Sequence, residues 1–314
     1  MSMETQWQSG RLGRAKGSHR LLFGHLHEDA EIERQAFQGN GRVFCIASAG
    51  CTAARLADEH EIVACDINPV QLAYAERRAR GAAAEVGDAE RAMAFARFFM
   101  PLVGWRESVV RAFLSFSDIT EQAAFWRAHL DTWRFRAGFD ALMSPAILRA
   151  VYSPRFLSFL PANFGPVLRG RFERCFSLHT NATNPYARAL LLGEMNGEPW
   201  PKQPRVQFVL GDAASYLESC PAGFFEALTL SNILDGAEPS YRDRLTQAIR
   251  HASTEDALVV LRSFGEPPPD LVTNYAENDR SLLWGVVDVR PACSFAAKRL
   301  PPVVMMKSGA QVSA

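Results

Sequence analysis

Residues 42–79, RVFCIASAGCTAARLADEHEIVACDINPVQLAYAERRA, restrict the fold more than any other stretch of the chain. Two short apolar runs, RVFCIAS and EIVACD, flank an Ala-rich segment with helical spacing. Runs that are apolar at consecutive positions read as strands buried on both faces, and Asn68-Pro69 stops the second. The segment is therefore one strand–helix–strand unit. Similar runs return much later as RVQFVLGDAASYL, FFEALTLSNILDG and DALVVLRSF, with a helical SYRDRLTQAIRHAS among them. Alternating strand and helix runs call for right-handed crossovers, so the fold class is α/β with a mostly parallel sheet.

Between the second and third strand runs, the chain from Val70 to about Leu192 is rich in Ala, Leu, Phe and Arg at helical spacing, broken by prolines. The expected organisation has a flexible N-terminus over 1–20 and a sheet domain built from 21–79 and 205–300. A mainly helical insertion over 80–204 forms an acceptor-binding cap, and 301–314 form a tail. Upstream, LLFGHLHEDAEIERQAF reads as a loop entering a helix, with Glu28 or Asp29 placed to satisfy free N–H groups of its first turn.

Charge excludes some partners. Basic and acidic residues balance at 34 each, which gives no whole-chain field for nucleic acid. The insertion carries 16 basic against 11 acidic residues from Arg80 to Arg205, a mildly basic face compatible with peripheral membrane contact. Six cysteines show no metal-ligand spacing, so no metal is expected. The polar first twenty residues carry no secretory core, and no apolar run is long enough to span a bilayer, so the expected location is cytoplasmic.

Ligands of open parallel sheets sit beyond the carboxyl ends of the strands. Here those ends supply Ser48-Ala49-Gly50-Cys51, then Asp66, then Gly211-Asp212-Ala213, then Ser231-Asn232, and finally Arg262. Gly50 lets a helix N-terminus approach a polar ligand, Asp66 can accept both hydroxyls of a ribose, and Asp212 can hold an adenine amino group. Asp66 follows Gly50 by 16 residues, near the spacing of a nucleoside-binding unit. The turn has one glycine rather than G-x-G-x-x-G, so a cofactor without phosphate fits better than a dinucleotide, and S-adenosylmethionine meets that description. Each residue also has a structural reading: Asp66 before Asn-Pro can cap a turn, and Arg262 can close an internal salt bridge instead of pairing with a carboxylate of the ligand.

At these positions the chain resembles a known family. CIASAGCTA, VACDINPVQ, LSNILDG and VVLRSF are similar to segments of the S-adenosylmethionine:diacylglycerol 3-amino-3-carboxypropyltransferases that begin betaine-lipid synthesis. FGHLHEDAEIERQAF resembles that family's aromatic–Glu–Asp segment, with His27 in place of the aromatic residue, and the likeness extends over about residues 21–290. It implies a class I methyltransferase-like sheet that also uses Ile67, Asn68 and Gln71 of DINPVQ around the co-substrate. The implied reaction transfers the aminocarboxypropyl arm to a lipid or small-molecule acceptor and releases methylthioadenosine. Methyl transfer and non-catalytic nucleoside or lipid binding are the alternatives. A three-cysteine cluster is absent, which favours polar displacement over a radical route.

An alcohol acceptor needs a base, and the candidates are Tyr186, His179, Asp235 and Asp29. Tyr186 and His179 stand first, because SLHTNATNPYARALLLGE reads as a loop within the insertion able to reach over the cofactor. The aromatic residues Phe98, Phe99, Trp105, Trp126, Trp133, Phe156 and Phe159 can line an apolar acceptor pocket, although helical spacing assigns most of them to a core.

Overall fold

The computed structural model describes residues 18–152, 154–194, 199–269 and 271–295. The expected flexible start and tail fall mostly outside this range. In chain order the strands are β1 (Arg42–Ile46), β2 (Glu61–Asp66), β3 (Val206–Leu210), β4 (Phe225–Thr229), β5 (Ser253–Ser263) and β6 (Val286–Pro291). They form one sheet in the order β3-β2-β1-β4-β5-β6, parallel except for β6 against β5. This is a mixed α/β architecture compatible with a Rossmann-like fold. Strand β6 is an element that the sequence reading did not anticipate.

The two-residue period of the strands divides the core. Val43, Cys45, Ile62 and Ala64 pack on one face, and Phe44, Val63 and Cys65 on the other. Helices α1 (Glu31–Ala36), α2 (Cys51–Leu56) and α3 (Pro69–Ala79) contribute Ile32, Ala53, Leu56, Leu72 and Ala75 to the first face. Helices α12 (Ala213–Ser219) and α13 (Pro239–Ala252) cover the second with Ala214, Leu217, Leu245 and Ile249.

Between β2 and β3 run α4 (Asp88–Phe98), α5 (Glu107–Phe113), α6 (Ile119–Phe125), α7 (Trp133–Leu142), α8 (Pro145–Val151), α9 (Pro154–Phe159), α10 (Phe164–Leu178) and α11 (Pro185–Leu192). They have a separate aromatic core, in which Trp105 stacks on Phe135 with ring centres 4.3 Å apart and Phe113 meets Phe176 at 4.8 Å. Trp105, Trp126 and Phe156 are buried, whereas Phe98, Phe99 and Trp133 are exposed. Arginines on α10 tie this layer to the β5–β6 connection: Arg171 donates to the carbonyls of Leu283, Phe264 and Gly265, and Arg174 to those of Ala276 and Trp284. Among the described residues no helix is long and apolar enough to cross a membrane.

Candidate functional site

The strand order reverses between β1 and β4, so connections leave in opposite directions there and open a crevice at the carboxyl ends. Cys45 and Thr229 pair across that boundary, which brings the turn after β1 beside the turn after β4. Ser48 and Ser231, one on each side, both have positive φ (42° and 52°), a conformation that ordinary side chains enter only when surroundings hold them.

On the β1–β2 side, Asp66 accepts the amide of Ser48 and that of Asn68, both at 2.9 Å. The Ile67 amide bears on the same carboxylate, so three backbone N–H groups converge on it and about one of its four acceptor directions is left for a ligand. Burial pushes Asp66 up to about 6, against the opposing pull of these amides. Asp212 stands at the same end of the neighbouring strands, because the Gly211 amide donates to the Asp66 carbonyl at 3.0 Å. Its carboxylate is more heavily used: it caps α12 through the Ser215 amide and hydroxyl and accepts the Tyr241 hydroxyl at 2.8 Å. Ala213, at the first position of α12, has an N–H with no partner inside that helix. Ile67 and Gly211 are half-buried on this rim.

On the β4–β5 side lies a cluster that the sequence reading largely missed. Segment His27-Glu28-Asp29 is laid across the crevice boundary. Its first carbonyl accepts the Trp284 indole N–H at 2.9 Å, and the Ser231 hydroxyl donates to Glu28 Oε1. Asp29 accepts Arg280 Nε and Nη2, and the Tyr186 hydroxyl stands 3.4 Å from Asp29 Oδ1. Four buried carboxyl groups (Glu28, Asp29, Glu33, Asp279) thus face two guanidinium groups in direct contact (Arg262, Arg280), a local surplus of acid. Burial raises Glu28 to about 7, although Arg262 and Ser231 pull the other way. Burial also raises Asp279 above the usual carboxylate range. His27 is pushed by burial down to about 3, with His25 and Arg97 adding to the effect, so it stands neutral at pH 7.

Arg262 takes the structural one of its two expected readings, the internal salt bridge rather than a ligand carboxylate: it is 2% exposed and fully committed inside the protein. Its Nη1 and Nη2 grip Glu33, Nε donates to Asp279 at 3.1 Å, and Nη2 also reaches the Asp29 carbonyl at 3.0 Å. Burial opposes its charge, but Glu33 and Asp279 hold it protonated. It locks helix α1 and the following loops over the sheet.

Other expected contacts are likewise structural. Asn68 caps α3 through the Val70 and Gln71 amides and donates to the Arg20 carbonyl. Gln71 accepts the Leu22 and Phe23 amides and donates to the Phe23 carbonyl, which staples the N-terminal segment to α3. Gly50, at φ 79°, closes a turn onto the Ala47 carbonyl; a Cβ there would lie 2.8 Å from Trp200. Its freedom serves packing against that ring. The buried Ala49 gives its carbonyl to Arg78, which also donates to Cys51 Sγ at 3.3 Å. His25 Nδ1 stands 3.5 Å from the same sulfur. Burial alone would push the Cys51 thiol up, but His25 and Arg78 bring it down to about 7.

The candidate bases separate. Tyr186 is buried beside Asp29 and the Arg280 guanidinium. His179 ends α10 and contacts the Glu277 carbonyl at 2.7 Å, an outer tether between insertion and sheet connection. Asp235 accepts the Phe264 amide at 2.9 Å and Asn232 Nδ2 at 3.3 Å, joining the loop after β4 to the end of β5. Burial raises Asp235 to about 6.

Of the residues expected around a ligand, Ser48, Asp66, Ile67, Gly211, Asp212, Ala213, Ser231 and Asn232 share one rim, with Tyr186 and Asp29 adjoining Glu28. Glu28 and Asp29 had a visible signal in the HED segment, although Glu28 reads as a helix-start residue. Glu33 and Arg280 had none, since their ion-pair partners are more than two hundred residues away in the chain, and Asp279 had none because its partner Arg262, 17 residues before it, lies on the far side of an irregular connection. Among the described residues no group of His, Cys, Asp and Glu could hold a metal ion. No protein-family model and no curated protein matches the chain.

Proposed function

We propose that this chain transfers the 3-amino-3-carboxypropyl group of S-adenosylmethionine to an oxygen or nitrogen of a lipid or small-molecule acceptor, on a class I methyltransferase-like sheet. The observation that carries the reading is that Asp66 and Glu28 are bonded to Ser48 and Ser231, in the turns after β1 and β4, which the Cys45–Thr229 pairing sets side by side at the carboxyl end of the sheet. A ribose calls for a carboxylate with a free acceptor direction at the end of β2, and Asp66 keeps about one beside its three backbone amides. A sulfonium and an α-ammonium are cations, and a buried surplus of carboxyl groups favours them electrostatically. The residues therefore fit the adenosyl and cationic parts of the co-substrate. In this reading the Ala213 N–H faces the adenine edge, because the Asp212 carboxylate already serves Ser215 and Tyr241. Recognition of the arm's carboxylate does not fall to Arg262.

In this reaction the acceptor's lone pair forms a bond to the arm's terminal methylene as the carbon–sulfur bond breaks, the electron pair leaving with methylthioadenosine. The sulfonium activates three carbons equally in kind, so the choice of arm over methyl rests on where the acceptor is held in line. The sequence likeness to aminocarboxypropyltransferases supports the arm. Glu28 is the base in this reading, replacing the four candidates read from sequence: near pH 7 it is poised to take a proton, and the half-buried Ser231 hydroxyl bonded to it is the more exposed member of the pair. Tyr186, Asp29 and Arg280 hold the segment that carries it.

Calorimetry with S-adenosylmethionine tests the binding half. Asp66→Ala is expected to weaken affinity by about 1–3 kcal/mol through loss of a charged acceptor. Wild-type affinity is expected to rise with pH through about 6, as the Asp66 carboxyl ionises. Unchanged affinity in the variant would remove Asp66 from the site.

A further inference from the structure

We infer that α4 and the turn after it form a ridge that docks on an anionic lipid bilayer. Phe95, Phe98 and Leu102 are 65%, 77% and 74% exposed, and Phe99 is 43% exposed. The Phe99 ring touches the other two, 5.1 Å from Phe95 and 5.3 Å from Phe98. Ala92 and Ala94 are exposed as well, three residues before Phe95 and four before Phe98 on the same helix faces, so they extend the apolar surface by one turn. Isolated exposed apolar residues are ordinary, but a contiguous aromatic cluster marks a contact surface.

Charge selects the occupant. From Arg91 to Arg106 the chain carries three arginines and no acid; Arg91 pairs with Asp88 and Arg97 turns inward to the Leu190 carbonyl, so the exposed Arg106 is the one that flanks the turn. The adjoining α7, whose Gly138 meets Val103 of the turn, adds Trp133, 74% exposed, with the Arg134 guanidinium 5.6 Å over its ring. Aromatic side chains that enter the headgroup region beside arginines that meet lipid phosphates are the physics of an interfacial anchor. A second copy of the same ridge would set arginine against arginine. The ridge is also joined to the candidate site. Glu90, at the start of α4, accepts the amides of Gly24 and His25, and Arg97 donates to the Leu190 carbonyl of α11, the helix that begins beside Tyr186.

The inference stands apart from the transferase reading, and its test needs no turnover. The full chain is sedimented with vesicles of phosphatidylcholine containing phosphatidylglycerol and with vesicles of phosphatidylcholine alone. Binding to the anionic vesicles, weakened by salt, is expected. Combined Phe95→Ser and Phe98→Ser should reduce it by about ten-fold or more at an unchanged melting temperature, because both rings are already in water. Combined Arg106→Gln and Arg134→Gln should reduce binding to the anionic vesicles alone. Asp66→Ala should bind vesicles as the wild type does. No vesicle binding by the wild type, equal binding by the serine variant, or a dimer that the serine variant splits would each overturn the inference.

Discussion

Arg262→Met is expected to destabilise the protein by about 3–5 kcal/mol, a substantial part of the stability of a typical domain. The substitution keeps much of the side-chain volume but strands Glu33, Asp279 and Glu28 in the interior without their shared counter-charge. The sign of the pH dependence follows from burial. Burial already raises Glu28 and Asp279, and without Arg262 nothing opposes it, so protonation stabilises the folded form and the variant weakens as pH rises through the raised values. Urea unfolding at pH 5 and pH 8 should therefore show a larger deficit for Arg262→Met at pH 8. A deficit below about 1 kcal/mol at both values, the size of an exposed ion pair, would show that this cluster does not hold α1 over the sheet.

The second large effect concerns Glu28. Glu28→Gln is expected to lower kcat by about 10²- to 10⁴-fold, the usual contribution of a positioned base, with a smaller loss of affinity for S-adenosylmethionine, whose cation loses one of several nearby carboxyl groups. Glutamine keeps the acceptor oxygen for the Ser231 hydroxyl, so the fold around the crevice should survive. Below about pH 7 the wild-type rate should fall tenfold per pH unit, since the base works only when ionised, and above it the rate should level. A variant with kcat within a factor of about three of wild type, or a flat wild-type profile between pH 5 and 8, would assign the proton to another group.

Several parts of this architecture were legible because local sequence determines them. Short consecutive apolar runs in β1 and β2, closed by turn residues, suit a strand covered on both faces, and proline-broken helical spacing marks the insertion. Asp66 was placed correctly at a strand end because the carboxyl ends of parallel strands converge whatever the intervening chain does. Strand β6 escaped notice: VVDVR is a short run after a long connection, and as an edge strand it pairs only with β5.

Side-chain fates were harder to read. Asn68 and Gln71 look like ligand contacts in DINPVQ, yet their partners are backbone groups some fifty residues upstream. Arg262 has the same problem on a longer scale, because its meaning depends on Glu33 at the other end of the chain. Glu28 illustrates the converse. A first-turn acid next to a helix is ordinary, and only its burial against Ser231 and Arg262 makes it chemically unusual.

The central claim is that this crevice presents the arm of S-adenosylmethionine, rather than its methyl group, to an acceptor. Incubation of the protein with S-adenosylmethionine and a panel of lipid and small-molecule alcohols and amines, followed by mass spectrometry of the nucleoside product, tests it most directly. Methylthioadenosine, formed in step with an acceptor heavier by one aminocarboxypropyl group, is the predicted result. S-adenosylhomocysteine with a methylated acceptor would contradict it, as would the absence of both nucleosides in every incubation.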